Sequence, residues 1–141
     1  MATNYDFIIR KGNLGVGTPS PSYPLHVSGS VSSISIYATN DIAAFSDQSV
    51  KTDLQVIDSA VDKLKQINGY TYIRIDDSSK TRRAGVIAQE VQKVLPEVVS
   101  KNEDGTLNVA YSNMIALLVE GIKEQQSQID TLNERIKLLE R

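Results

Sequence analysis

Phe45-Ser46-Asp47-Gln48-Ser49-Val50-Lys51-Thr52-Asp53-Leu54 divides the chain into two textures. Before it lie short apolar runs broken by Gly, Pro and Ser. After it lie helix- and strand-like segments that end in a long heptad pattern. The stretch itself carries a hydroxyl at Ser46 and an amine at Lys51, five positions apart. On a helix that spacing sets the two side chains about 140° apart around the axis. On a strand it sends them to opposite faces. A turn within the segment, or a second chain, is needed to bring them together.

Downstream, Asp58 or Ser59 is placed to cap a helix, with Asp62 three residues after Ser59 as an approximate capping box. Ala60, Val61, Leu64 and Ile67 follow at helical spacing, and Asn68-Gly69 ends the run. Tyr70-Thr71-Tyr72-Ile73-Arg74-Ile75 is β-branched and aromatic, which predicts a strand. Residues 76–83 read as a polar loop. Residues 84–88 run into a short amphipathic helix that presents Val91, Val94 and Leu95 and stops at Pro96. Asp104-Gly105 between two apolar runs marks a hairpin.

The last helix is expected over about residues 112–141, capped by Ser112. With Ile115 as position a, the a positions are Ile115, Ile122, Ile129 and Ile136. The d positions are Leu118, Gln125, Leu132 and Leu139. Seven of these eight are Ile or Leu, the pattern of a coiled coil. Arg135 at g and Glu140 at the following e suit parallel pairing. Ile at a with Leu at d favours two strands, so the heptads specify a parallel oligomer without specifying a trimer.

Upstream, Tyr5–Ile9, Leu25–Val27, Ser33–Tyr37 and Asp41–Phe45 are strand candidates, with a Gly/Pro-rich turn around residues 12–21. The glycines at 12, 15 and 17 do not make a nucleotide loop, because prolines follow where a helix should open. These strands are too short and too poor in large apolar residues to form a core in one chain. Winding with copies of the same chain would supply the burial. His26 is most simply a strand residue facing solvent or a partner chain.

Composition narrows the function classes. The chain has 141 residues, 40% hydrophobic and 23% charged, with net charge −2. That is a globular composition, and its net charge implies no strongly basic face for nucleic acid. Cys is absent and there is one His, which excludes a cysteine nucleophile, disulfides and a His-rich metal centre. No run approaches the roughly 20 apolar residues of a membrane span. Met1–Tyr5 has neither the basic nor the apolar region of a signal peptide and reads as a start placed inside a longer protein.

Five motifs fall in order: Ser46-Asp47-x-x-x-Lys51-Thr52-Asp53-Leu54, Gly69-Tyr70-x-Tyr72, Gly85-Val86-Ile87-Ala88-Gln89-Glu90-Val91, Leu95-Pro96-Glu97-Val98-Val99, and Tyr111 ahead of the heptads. Together they resemble the C-terminal intramolecular chaperone of phage tail spikes and tail fibres, the self-cleaving serine peptidase domain of endosialidase tailspikes. A similar domain occurs in the eukaryotic myelin regulatory factor. The resemblance spans about residues 46–141. More weakly, residues 1–45 resemble the distal end of a phage fibre, through Leu14–Thr18 and Leu25–Gly29.

The resemblance implies an α+β chain: an intertwined β-fibre end over 1–45, then a small mixed module with a coiled-coil helix over 46–141, assembled as a parallel homotrimer. It implies a chaperone that templates the fibre upstream and then cuts itself free, as part of a virion tail precursor made in the host cytoplasm. Its partners would be copies of itself and its own upstream segment, with no nucleic acid, membrane, metal or cofactor. Ser46 matches the family nucleophile and Lys51 its general base, with the cut at Phe45–Ser46; a cut just after Ser46 is the alternative. A lysine accepts a proton near neutral pH only when burial destabilises its ammonium form. Catalysis therefore requires Lys51 to be covered, by Phe45, Val50, Leu54 or a neighbouring chain, with Asp47 and Asp53 turned away. The competing reading is a structural trimerisation module with both residues inert; a receptor-binding tip is a third.

Overall fold

The structure, a computed structural model, describes residues 11–31 and 36–140. Two compact units meet between Asp47 and Gln48, two residues beyond the composition boundary at 45/46. The strand candidates at Tyr5–Ile9 and most of Ser33–Tyr37 lie outside the described residues.

In the first unit, strands β1 (Leu14–Val16) and β2 (Leu25–Val27) pair in parallel, Leu14 opposite Leu25 and Val16 opposite Val27. β1 thus takes up part of the stretch expected to be all turn. The connection, residues 17–24, is short for a parallel pair. Gly17 makes it possible: its φ is +73°, and a Cβ there would sit 2.7 Å from the Ser28 carbonyl oxygen. Asn13 Nδ2 donates to the Pro21 carbonyl at 3.0 Å and braces the arch. His26 is half-buried in β2; its Nδ1 accepts from the Ser22 N–H, and its ring meets Tyr23 edge-on. Asp41–Phe45 is not a strand. Apolar alternation alone does not hold a strand without a neighbour to take its hydrogen bonds.

The second unit holds helix α1 (Ala60–Leu64), the antiparallel pair β3 (Tyr70–Ile73) and β4 (Arg82–Gly85), helix α2 (Ala88–Val94), the hairpin β5 (Val99–Lys101) and β6 (Leu107–Val109), and helix α3 (Ile115–Leu139). β3 ends two residues before the expected Ile75, where Arg74 turns to a two-bond ion pair with Asp76. The expected loop to residue 83 is shorter, because Arg82 and Arg83 already pair with Ile73 and Tyr72. α2 ends before Pro96 as expected. The core is Ala60, Val91, Leu95, Val98 and Leu117, ringed by half-buried Ile57, Leu64, Ile67, Val86, Val94, Val99, Val109 and Met114.

Both expected helix caps are replaced. Ser59 has φ +48° and makes no side-chain cap, Asp58 binds Lys63 Nζ at 2.8 Å, and Asp62 binds Lys65 at 3.1 Å. The free amide at the start of α1 donates instead to α3: Val61 N–H reaches Glu124 Oε2 at 3.1 Å. Ser112 does not cap α3 either; a 3₁₀ turn over Tyr111–Met114 leads directly into it.

α1 packs on one face of α3. Leu117 is fully buried and Gly121 is buried against Leu64, whose Cδ1 occupies the space a Cβ at 121 would need. This face was not expected from the heptads. Leu117 and Gly121 are positions c and g, away from the a/d seam. Leu117→Ala should therefore lower the unfolding free energy by about 2–5 kcal/mol at any chain concentration. A urea midpoint equal to that of the parent chain would contradict its burial. Leu118→Ala, one residue on but exposed, should act only through association, seen as a midpoint that varies with concentration.

Candidate functional site

A 3₁₀ turn over Gln48–Val50 occupies the middle of the junction, closed by the Lys51 N–H donating to the Gln48 carbonyl at 3.0 Å. The turn lies between Ser46 and Lys51 in the sequence. Ser46 stands two positions before it, at the end of the first unit, and Lys51 directly after it, in the second. Both are exposed. Asp53 follows with φ +50°, a left-handed conformation that costs a non-glycine residue energy. Its carboxylate accepts from Gln55 Nε2 at 3.1 Å. Phe45, Val50 and Leu54, the apolar residues available as cover, are 95%, 73% and 63% exposed.

The oligomerisation candidates share this condition. Ile115, Leu118, Ile122, Ile129, Leu132, Ile136 and Leu139 are all exposed, as is Gln125. They line the side of α3 away from Leu117 and Gly121. The helix carries apolar residues on both sides through its first two turns, and its own chain covers one.

The motif residues between junction and helix make the module's polar joints. Glu90 Oε1 accepts from the Tyr70 hydroxyl at 2.7 Å, and its Oε2 accepts from the Asn68 N–H at 2.9 Å and from Asn68 Nδ2. These bonds tie the turn after α1 and the start of β3 to α2. Tyr111 directs its hydroxyl at Gly85, where a Cβ would come within 2.5 Å, and accepts from the Val86 N–H at 3.3 Å. Tyr70 and Tyr111 are exposed side chains with bonded hydroxyls. Glu90 and Glu124 were not singled out from sequence, since each serves backbone amides remote in the chain. A second stripe at Met114, Leu117, Gly121 and Glu124 was the available sign of the latter.

Residues 46–100 match a peptidase-family model described as the chaperone of endosialidase. That segment belongs to the endosialidase-chaperone family. It holds Ser46, Lys51 and the motifs through Val99, and α3 lies beyond it. The chain is 40% identical over 92 residues to the long tail fiber protein Gp37 of Escherichia phage AR1, covering 60% of this chain and 8% of that protein. It is 33% identical over 137 residues to the long tail fiber protein Gp37 of Enterobacteria phage M1, covering 89% of this chain and 55% of that protein. It is also 29% identical over 154 residues to myelin gene regulatory factor-like A of Dictyostelium discoideum, with coverages of 94% and 16%. The chain thus spans about half or less of these relatives' length. Among the described residues no helix is long and apolar enough to cross a membrane.

The Tyr70 hydroxyl, with the Asn68 amides, holds the Glu90 carboxyl below its ordinary value of 4.5. A depressed carboxyl stabilises the fold above its unfolded value and loses that contribution as pH falls through the folded one. Stability of the endosialidase-chaperone segment should therefore decline on acidification below about pH 4.5. Glu90→Gln should flatten that decline. Parallel thermal melts from pH 3 to 7 compare the two, and equal slopes would show that this joint does not titrate with folding.

Proposed function

We propose that this chain is the C-terminal folding module of a tail-fibre-like appendage. It self-associates as a parallel trimer through the a/d seam of α3, templates the β-rich segment upstream, and releases itself by cleavage at Phe45–Ser46. The observation that carries this reading is α3: a helix packed by Leu117 and Gly121 on one side, with Ile115, Leu118, Ile122, Ile129, Leu132, Ile136 and Leu139 uncovered on the other. An uncovered stripe of that length is the face of an oligomer. The family match over residues 46–100 and the fibre relatives support the chaperone role.

In the cleavage step Ser46 Oγ attacks the carbonyl carbon of Phe45 while Lys51, as the neutral amine, takes the hydroxyl proton. The proton passes to the departing amide nitrogen of Ser46, leaving an ester between Phe45 and the Ser46 oxygen. Water then hydrolyses that ester, giving a carboxylate at Phe45 and a free amine at Ser46. Lys51 can serve only when covered, so exposure of Phe45, Val50 and Leu54 in the single chain ties the reaction to assembly.

The same exposure favours a second reading, in which Ser46 and Lys51 are inert and the module only trimerises. Intact mass after incubation separates the two. Cleavage of the 141-residue chain yields pieces of 45 and, by subtraction, 96 residues. Ser46→Ala and Lys51→Ala should each leave one chain. Cleavage surviving in Ser46→Ala would remove Ser46 as nucleophile. Ile122→Asp with Ile129→Asp should abolish both association and cleavage; a monomeric variant cutting at the parent rate would break the link to assembly.

A further inference from the structure

The extended segment after the junction lies along the start of α3. Gln55, Val56 and Ile57 form one wall of a shallow groove, and Ala116, Val119 and Glu120 form the other. Leu54, Val56 and Val119 are 63%, 76% and 48% exposed. Val119 is at position e, beside Ile115 and Ile122 on the helical surface, so the groove runs into the a/d seam without a break. Its one charged wall residue, Glu120, is held by Lys123 Nζ at 2.9 Å.

We propose that this groove is a second contact between copies, in which the next copy of the chain covers Leu54 and Val56 when the helices associate. The proposal rests on the reading that α3 pairs with itself in parallel. The seam carries no charge at a or d, and Arg135 at g faces Glu140 at e only between parallel copies. In that arrangement the e flank of one helix faces the g flank of the next. On the g flank this chain carries Met114 and Gly121, with α1 packed over Gly121. The body delivered to the Val119 groove is therefore a helix together with its attached α1. The contact is heterologous, each copy using its groove on one neighbour and its α1 flank on the other, and a closed ring satisfies every groove. Leu54 follows Lys51 by three residues, so this docking would fix and dry the segment on which the amine is carried.

The test places a photo-cross-linking residue at position 54, at 56 and, as the seam control, at 125 in the full chain, with irradiation at concentrations where the parent is associated. Covalent species of two or more chains from 54 or 56 as well as from 125 are the expected result. Cross-linking from 125 alone would overturn the second contact and leave the α3 pairing intact. Absence from all three would overturn the pairing and the contact together. This arm does not depend on cleavage, so a chain that never cuts itself fails the cleavage reading without deciding this one. Leu54→Gln with Val56→Gln should keep the parent oligomeric mass and slow cleavage at least tenfold. Loss of the cross-linkable contact with cleavage at the parent rate would overturn its role in drying the junction.

Discussion

The packing of Gly121 on Leu64 is the constraint from which the second unit takes its form. Gly121 leaves room for the Leu64 side chain against α3, and Leu117 sits in the core beside Val91, Leu95 and Val98. It also turns α3 so that its heptad seam points away from its own module. A helix apolar on both sides is stable in water only when both are covered. One side is satisfied within the chain. The other leaves the a/d residues of α3 in solvent, and it is the surface on which the proposed association rests.

The junction follows the same logic on a smaller scale. A serine made reactive by a lysine needs that lysine dry, and a ten-residue segment on the surface of a small domain cannot exclude water alone. The segment contains a 3₁₀ turn over Gln48–Val50 and a left-handed backbone at Asp53. It leaves its apolar side chains in solvent. The proposed cleavage, set to occur once and only after assembly, would gain from being chemically incomplete beforehand.

Much of the fold was legible because it is written locally. The 3.6-residue spacing of Val91, Val94 and Leu95, the stop at Pro96, the Asp104-Gly105 hairpin and the heptads from Ile115 each depend on residues near in sequence. What was not legible depends on partners far away. Ser59 and Asp62 have the composition of a capping box, yet the amide of Val61 is served from α3. Glu90 looks like one more surface carboxylate on α2 until it is found bonding Asn68 and Tyr70. Asp41–Phe45 has strand character but no strand neighbour among the described residues. For Ser46 and Lys51 the spacing asked for a turn or a second chain, and a 3₁₀ turn lies between them in the sequence. Their assignment as nucleophile and base came from resemblance, since spacing alone leaves any such pair a surface loop.

The bond from Val61 to Glu124 has a consequence in time. A polypeptide is made from its amino end, so the ribosome has long since released α1 when residue 124 is added. Until then the first amides of α1 have only water, and a five-residue helix is far too short to persist without tertiary support. The packing of α1 on α3 therefore cannot close before residue 124 has been added. Whatever lies upstream has left the ribosome before the segment that follows it can take its final shape.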